Sequence, residues 1–422
     1  MGGALVSVLH VSHSDLNGGA ARAAYRLHRA LLGFDIGSRM KVRDKRSDDW
    51  TVAGPESKYG KAGSLLRPAL GNLAMRLQQS GNMNLHSGNW LPSDWSGKFN
   101  GTDAEVVNLH WVGGEALSIE DIGRIRKPVV WTLHDMWPFC GAEHYAADDE
   151  RARWRTCYSK GSRPVSEGRL DLDRLVWRRK LRAWIRPMHI VAPSQWLASC
   201  ARESALFRNW PVSVIPNVLD TGIYQPLNRD FCRQALGLPH DRKIILFGAL
   251  GGGRDSRKGY DLLLEALERL GHQESVQNVH CVVFGQSEPE QPPKLHFPIH
   301  WMGHVHDDAA LVLLYNSADV TVVPSRQENL PQTATEAQAC GCPVVAFNCT
   351  GFQDAVAHRE TGYLAKAFDA EDMAQGLGWV LADVERQRDL GNAARERALR
   401  LWAPESVVPQ YLAVYRSMAG QG

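Results

Sequence analysis

Val320-Thr-Val-Val-Pro324-Ser-Arg-Gln-Glu328-Asn-Leu-Pro331-Gln-Thr-Ala-Thr-Glu336-Ala-Gln-Ala-Cys340-Gly-Cys342-Pro-Val344-Val-Ala-Phe347 decides how this 422-residue chain is read. Two short apolar runs, Val320–Val323 and Val344–Phe347, flank a polar loop and a helix-length segment, which reads as strand, loop, helix, strand. Pro331 suits the first position of a helix. Glu328 then falls in the loop, and Glu336 about a turn and a half inside the helix. The backbone amides around Asn329–Thr333 form a helix N-terminus able to hold a diphosphate. Two carboxylates beside an anion are costly unless each accepts from hydroxyl groups, which a sugar and a ribose supply. Taken alone, the pair equally fits an acidic helix start favoured by the helix dipole.

The same alternation extends in both directions and implies a parallel α/β fold. Towards the C-terminus the strands are expected at Lys243–Phe247 and Val279–Phe284, with helices at Tyr260–Leu270, Ala309–Asn316 and Thr333–Ala339. In the first half, Leu5–Val11, Ala104–Leu109, Val129–Leu133 and His189–Ala192 read as strands. A glycine turn at Asn17–Gly19 leads into a helix over Ala20–Leu32. Residues 44–103, rich in Gly, Ser, Asn and Asp, read as insertions with few regular elements. The expected division is a domain over 1–215, a second over 216–402, and a helix over 403–422 packing back on the first. The fold class is α/β, with two Rossmann-like doubly wound domains facing a central cleft, where ligands bind beyond the carboxyl ends of the strands.

Bulk properties agree with two such domains. Hydrophobic content is 44%, charged content 22% and formal net charge +2, so whole-chain charge offers nothing to nucleic acid. No apolar run is long enough to span a membrane, and the N-terminus carries no basic, apolar secretory pattern. Eight scattered cysteines with no CxxC pair suit reduced thiols in the cytoplasm.

Other segments carry further chemistry. Phe247-Gly248 is followed by Arg257-Lys258-Gly259-Tyr-Asp-Leu-Leu-Leu. Val283-Phe284-Gly285 and Met302-Gly303-His304-Val305 end two strands, and Asn17-Gly18-Gly19-Ala20 forms a glycine loop. With Glu328 and Glu336 separated by seven residues, this order resembles retaining glycosyltransferases of family 4, with the GT-B type of fold. The resemblance implies a sugar nucleotide held by Gly18, Gly19, Arg254, Arg257, Gly285, His304, Val305, Asn329, Leu330 and Glu336. Catalytic positions would be His134, Lys258 and Glu328. It implies no metal and no cofactor beyond a UDP- or GDP-linked donor, and the chain has no Asp-x-Asp motif. An arginine usual six residues before the lysine falls at Gly252. Arg254 or Arg257 would replace it from the loop Gly251–Gly253, whose length lets the chain fold inward.

The first half is similar to enzymes of bacterial surface polysaccharides such as colanic acid, through Asn108-Leu-His110-Trp111 and Trp131-Thr-Leu-His134-Asp135-Met-Trp137. His134 would reach a sugar hydroxyl. His110 and Asp135 are acceptor-side candidates, and Asp135 either orients His134 or contacts acceptor. Cys140 and Cys157 alone remain of a cysteine-rich segment in relatives, which speaks against a structural metal. The acceptor would be a glycan or a lipid-linked oligosaccharide. Residues 151–186 hold twelve basic and three acidic residues with Trp154, Tyr158, Trp177 and Trp184. They suit an anionic membrane, with the enzyme peripheral at its inner face, or else a solvated helix packed by its tryptophans. A sugar-nucleotide epimerase on the same fold and a silent sugar-nucleotide or glycan-binding protein are the alternatives in function.

Overall fold

The computed structural model describes residues 6–78, 81–164, 168, 170–248, 255–273, 276–305 and 307–420. These form two compact units, Met1–Val218 with Val407–Gly422, and Leu219–Ser406.

Unit 1 runs β1 (Val8–Ser14), α1 (Gly19–Gly33), β2 (Ser38–Asp44), β3 (Val52–Ala53), α2 (Lys58–Met75), α3 (Trp95–Asn100), β4 (Val106–Leu109), α4 (Ile119–Gly123) and β5 (Val129–Thr132). It continues with α5 (Arg153–Thr156), α6 (Leu172–Ala183), β6 (His189–Ala192), α7 (Gln195–Glu203) and β7 (Val212–Val214). Its seven strands are parallel in the order β3-β2-β1-β4-β5-β6-β7, so the strand order reverses between β1 and β4.

Unit 2 runs α8 (Arg229–Leu236), β8 (Lys243–Gly248), α9 (Tyr260–Gly271), β9 (Val279–Phe284), β10 (Ile299–Trp301), α10 (Asp308–Ser317), β11 (Val320–Val323), α11 (Gln332–Ala339) and β12 (Val344–Phe347). Then follow α12 (Phe352–Ala355), β13 (Gly362–Ala365), α13 (Ala370–Leu381) and α14 (Val384–Leu401). Its six parallel strands lie in the order β10-β9-β8-β11-β12-β13, reversing between β8 and β11. The last helix, α15 (Pro404–Ala419), enters unit 1 from Val407.

Strand alternation builds two cores in unit 1. Val8, Val106, Val130 and Val191 face α1 and α15, meeting Leu27, Leu31, Val407, Tyr411 and Tyr415. Leu9, Val107, Trp131 and Ile190 face the other way into a larger core with Trp137, Trp154, Trp177 and Trp184.

Residues 44–103 are more regular than expected. They hold the 18-residue helix α2, and β2 lies just before them. Gly60, Gly63, Pro68 and Gly71 all lie within α2, and such residues ordinarily mark breaks. Ser57 caps it, its side chain accepting from the Gly60 amide. Arg67 then fastens it by donating to the carbonyls of Glu115 and Leu91.

Candidate functional site

In unit 2 the residues of interest gather where the strand order reverses, beyond the carboxyl ends of β8 and β11. Gly259 makes this convergence possible. It caps α9 with φ +66°, and a Cβ there would lie 2.0 Å from the Pro324 carbonyl oxygen. The Arg326 amide donates to the Arg257 carbonyl at 2.7 Å, locking the lysine-bearing turn to the glutamate loop.

Glu328 Oε1 accepts from Lys258 Nζ at 2.6 Å and from Arg257 Nη1 at 3.3 Å. Burial alone would raise the carboxyl's pKa. The charges of Lys258 and Arg257, with hydrogen bonds from Lys258 and Ser325, outweigh it and hold Glu328 below its ordinary value. Arg257 is further committed to Asp255 at 3.0 Å and to the Gln327 carbonyl at 2.9 Å. Lys258 is the more exposed of the two cations, 40% against 15% by side chain. Arg254 and the Gly251–Gly253 loop lie outside the described residues, and with them the Arg254 alternative for the usual arginine.

A third loop holds the glutamate from behind. The Gly351 amide donates to the Glu328 carbonyl at 3.0 Å, and the Glu328 amide donates to Thr350 Oγ1 at 3.2 Å. Asn329 and Leu330 are buried where α11 begins, with Pro331 as its cap residue. Glu336 is buried inside α11, its Oε2 accepting from the Tyr315 hydroxyl at 2.9 Å. Burial and the Glu336 charge push the Tyr315 pKa well up, so the phenol stays a donor. Nothing in the spacing of α10 marks Tyr315; only the packing of α10 on α11 brings it to Glu336. The Gly285 amide donates to the Gly303 carbonyl at 2.8 Å, which joins the ends of β9 and β10 beside exposed His304 and partly buried Val305.

In unit 1, Gly18 sits at the N-terminus of α1 with φ +92°, no atom within 4 Å of a Cβ position and no side-chain cap on the helix. Gly19 is the first residue of α1. His134 follows β5 and is partly exposed, with Nε2 3.1 Å from His110 Nδ1. Two acceptor-side expectations change. His110 is buried with both ring nitrogens engaged, so it acts behind His134. Asp135 is also buried. It accepts from His144 Nδ1 at 2.5 Å, Trp111 Nε1 at 2.7 Å and the Trp137 amide at 3.0 Å, which spends its lone pairs on the interior. His144 Nε2 lies 2.7 Å from Ser87 Oγ, completing the order of a nucleophile, base and acid. Ser87 is buried, however, and its Oγ already receives the Gly114 amide, so this set braces the loop.

The aromatic residues of the basic segment 151–186 are turned inward, while Arg151, Lys160, Arg178, Arg182 and Arg186 stay exposed. Trp154, Tyr158, Trp177 and Trp184 are all buried in the core of unit 1, so none of them anchors in a bilayer. Lys180 is wholly buried and donates to the carbonyls of Trp137, Cys140 and Gly141. Arg153 pairs with Asp171, Arg155 with Asp148, and Arg179 with Glu120. Among the described residues the group spaced to hold a metal is Glu268, His272 and His296. It is exposed at the C-terminal end of α9, the opposite end from Lys258.

Solved structures with this architecture include a sucrose-phosphate synthase from Thermosynechococcus elongatus, with TM-score 0.65 and 18% identity over 99% of this chain and 100% of that one. Anabaena HepE in complex with UDP and glucose aligns with TM-score 0.62 and 15% identity over 98% and 100% of the two chains. The fold is that of GT-B glycosyltransferases. Residues 228–397 match the family described as glycosyl transferases group 1. A D-inositol 3-phosphate glycosyltransferase of Xylanimonas cellulosilytica is 31% identical over 323 residues, 70% of this chain and 68% of that protein. One from Catenulispora acidiphila is 33% identical over 248 residues, 54% of this chain and 58% of its own length. The chain belongs to the group 1 glycosyltransferases. It spans between about half and two-thirds of the length of the curated relatives it matches.

Proposed function

We propose that this chain transfers a sugar from a nucleoside-diphosphate sugar to an acceptor hydroxyl with retention at the anomeric carbon. The observation that carries this reading is the Lys258–Glu328 pair, 2.6 Å apart, set beside the N-terminus of α11. The α11 amides and Lys258 take the diphosphate, Glu336 the ribose hydroxyls and Glu328 the sugar. As the anomeric carbon–oxygen bond to the diphosphate breaks, a new one forms to the acceptor oxygen. The acceptor proton passes to a donor phosphate oxygen, so no protein base is needed. No metal enters this scheme.

Calorimetry on Glu336→Ala tests the donor site. Loss of charge-assisted hydrogen bonds to ribose is expected to cost about 1–3 kcal/mol of donor affinity. Tyr315→Phe removes only the internal bond to Glu336 and is expected to cost less. Undiminished affinity in Glu336→Ala would end the assignment. Turnover of UDP-, GDP- and dTDP-sugars with and without acceptor separates transfer from epimerisation and from binding alone.

For the acceptor, the naming of the relatives as D-inositol 3-phosphate glycosyltransferases supports an inositol phosphate, and the surface-polysaccharide resemblance supports a lipid-linked glycan. Both are anionic. A cavity of about 890 Å³ in unit 1 is lined by Arg43, Lys45, Arg46 and Lys61 on the basic side and by Asp44, Asp48 and Glu56 on the acidic side, a mixed lining able to meet both the anionic group and the hydroxyls of such an acceptor. No described helix is long and apolar enough to cross a membrane. Besides the exposed Arg178, Arg182 and Ile185 within 151–186, a membrane-presented acceptor is supported by α2. Tyr59, Leu65, Leu66, Leu70 and Leu73 are exposed there, and residues 57–93 contain four basic and no acidic residues. In liposome sedimentation, binding is expected only with anionic vesicles and should weaken with salt. Replacing Leu65, Leu66, Leu70 and Leu73 by Ser should abolish it. Equal recovery with neutral and anionic vesicles at every salt concentration would refute the membrane reading.

A further inference from the structure

Three imidazoles stand in a row in unit 1. His10 Nδ1 lies 2.9 Å from His110 Nε2, and His110 Nδ1 lies 3.1 Å from His134 Nε2. The rings stack with centroids 5.2 and 5.4 Å apart. Burial depresses all three pKa values, to about 4 for His134, so each ring carries a single proton at neutral pH. A neutral imidazole within such a row donates at one nitrogen and accepts at the other. The direction of the whole row is therefore one choice.

Two separate features make that choice. The first is Asn108, opposite His10 in the β1–β4 ladder. Its Nδ2 lies 2.7 Å from His110 Nε2, and Thr132 Oγ1 lies 3.2 Å from that Nδ2 and 3.3 Å from the Asn108 Oδ1. The Tyr411 hydroxyl on α15 lies 3.3 Å from Thr132 Oγ1. An amide nitrogen only donates, so His110 Nε2 accepts. The second feature is His10 Nε2, which is buried with no hydrogen-bond partner among the described residues. An orphaned buried N–H is rarer than an unused lone pair. The His10 proton therefore sits on Nδ1, 2.9 Å from His110 Nε2, whose lone pair it shares with the Asn108 amide nitrogen, itself 3.4 Å from His10 Nδ1. Both features place the His110 proton on Nδ1, facing His134 Nε2.

We propose that His10, Asn108, His110, Thr132 and Tyr411 are positioning residues that hold His134 as its Nδ1–H tautomer, presenting a hydrogen-bond donor to an oxygen of the transferred sugar. The role rests on the glycosyl-transfer reading above; the tautomer does not. It follows that His134 is no general base. The nitrogen left for substrate bears a proton, and its lone pair is held by His110.

The tautomer is read from the ring-nitrogen shifts of histidine in the full chain, in long-range proton–nitrogen correlation spectra at pH 7.5. His134 is assigned by its loss in His134→Gln. A protonated Nδ1 with a bare Nε2 is expected, and a protonated Nε2 in the wild-type protein would overturn the proposal. In Asn108→Asp the carboxylate accepts from His110 Nε2–H and reverses the row. His134 should switch to Nε2–H, with turnover reduced at least about tenfold. An unswitched signal in folded Asn108→Asp also overturns it. Should that variant fail to fold, the wild-type spectrum decides alone, because it needs neither substrate nor turnover. An Nδ1–H signal in a protein that transfers no sugar sinks the glycosyl-transfer reading and leaves the row standing. Transfer by a protein with Nε2–H sinks the row alone.

Discussion

Lys258→Ala is expected to lower turnover by about 10²–10³-fold while changing donor affinity much less. Negative charge grows on the diphosphate as its bond to the sugar breaks, so a cation near it interacts more strongly in the transition state than in the ground state. Arg257 is no substitute. Its guanidinium is held by Asp255, the Gln327 carbonyl and Glu328, whereas among the described residues Lys258 is tied by its ion pair to Glu328. Loss of the lysine leaves Glu328 with Arg257 and Ser325, so the loop should remain folded. Lys258→Arg is expected to restore activity only in part, because a planar fork does not follow charge as a mobile ammonium does. Single-turnover rates with calorimetric donor affinities supply the check. Normal kcat with a raised KM would show that Lys258 merely holds substrate.

Gly351→Ala is expected to destabilise unit 2 by about 3 kcal/mol or more and to cripple donor binding in what remains folded. The cause is steric, since the backbone there has an ordinary φ of −71°. A Cβ at this position would fall 1.3 Å from the Asn329 carbonyl oxygen and 3.0 Å from that of Glu328. Both are backbone atoms of the donor loop, and no rotamer change relieves them. Gly237 provides the contrast. It ends α8 with φ +67° and has open space where a Cβ would go, so Gly237→Ala should cost only about 1 kcal/mol. Urea unfolding of both variants gives the comparison. A Gly351→Ala protein within about 1 kcal/mol of wild type would show that the two loops are not packed as described.

Much of this site was legible because its signals are local. The run from Val320 to Phe347 carries its own punctuation in Pro324, Pro331 and Gly341, and the structure has β11, α11 and β12 where those residues place them. Three strands, His189–Ala192, Val279–Phe284 and Val344–Phe347, end where the apolar runs end. The helix α2 was illegible for an equally local reason. Its glycines and Pro68 argue against a helix, and only Ser57 and the contacts of Arg67 show what secures it. The tryptophans of 151–186 show the limit of composition. An aromatic beside an arginine reads the same on a surface or in a core, and burial alone separates the two.

By itself the amino-acid sequence determined the alternation of strand and helix, the glycines of the tight turns and the spacing of Glu328 from Glu336. Each of these is set by the geometry of a few adjacent residues. Tertiary structure alone decided the partners: Lys258 on Glu328 across 70 positions, Tyr315 on Glu336 across 21 and Thr132 beside Tyr411 across 279. It also decided which polar groups were spent on the interior, as with Asp135 and Lys180, and which nitrogen of His134 faces His110. The physical reason is that a hydrogen bond depends on distance and direction in space. In a parallel sheet, neighbouring strands are joined through helices, so side chains that meet at the strand ends come from positions whose separation along the chain carries no trace of the contact.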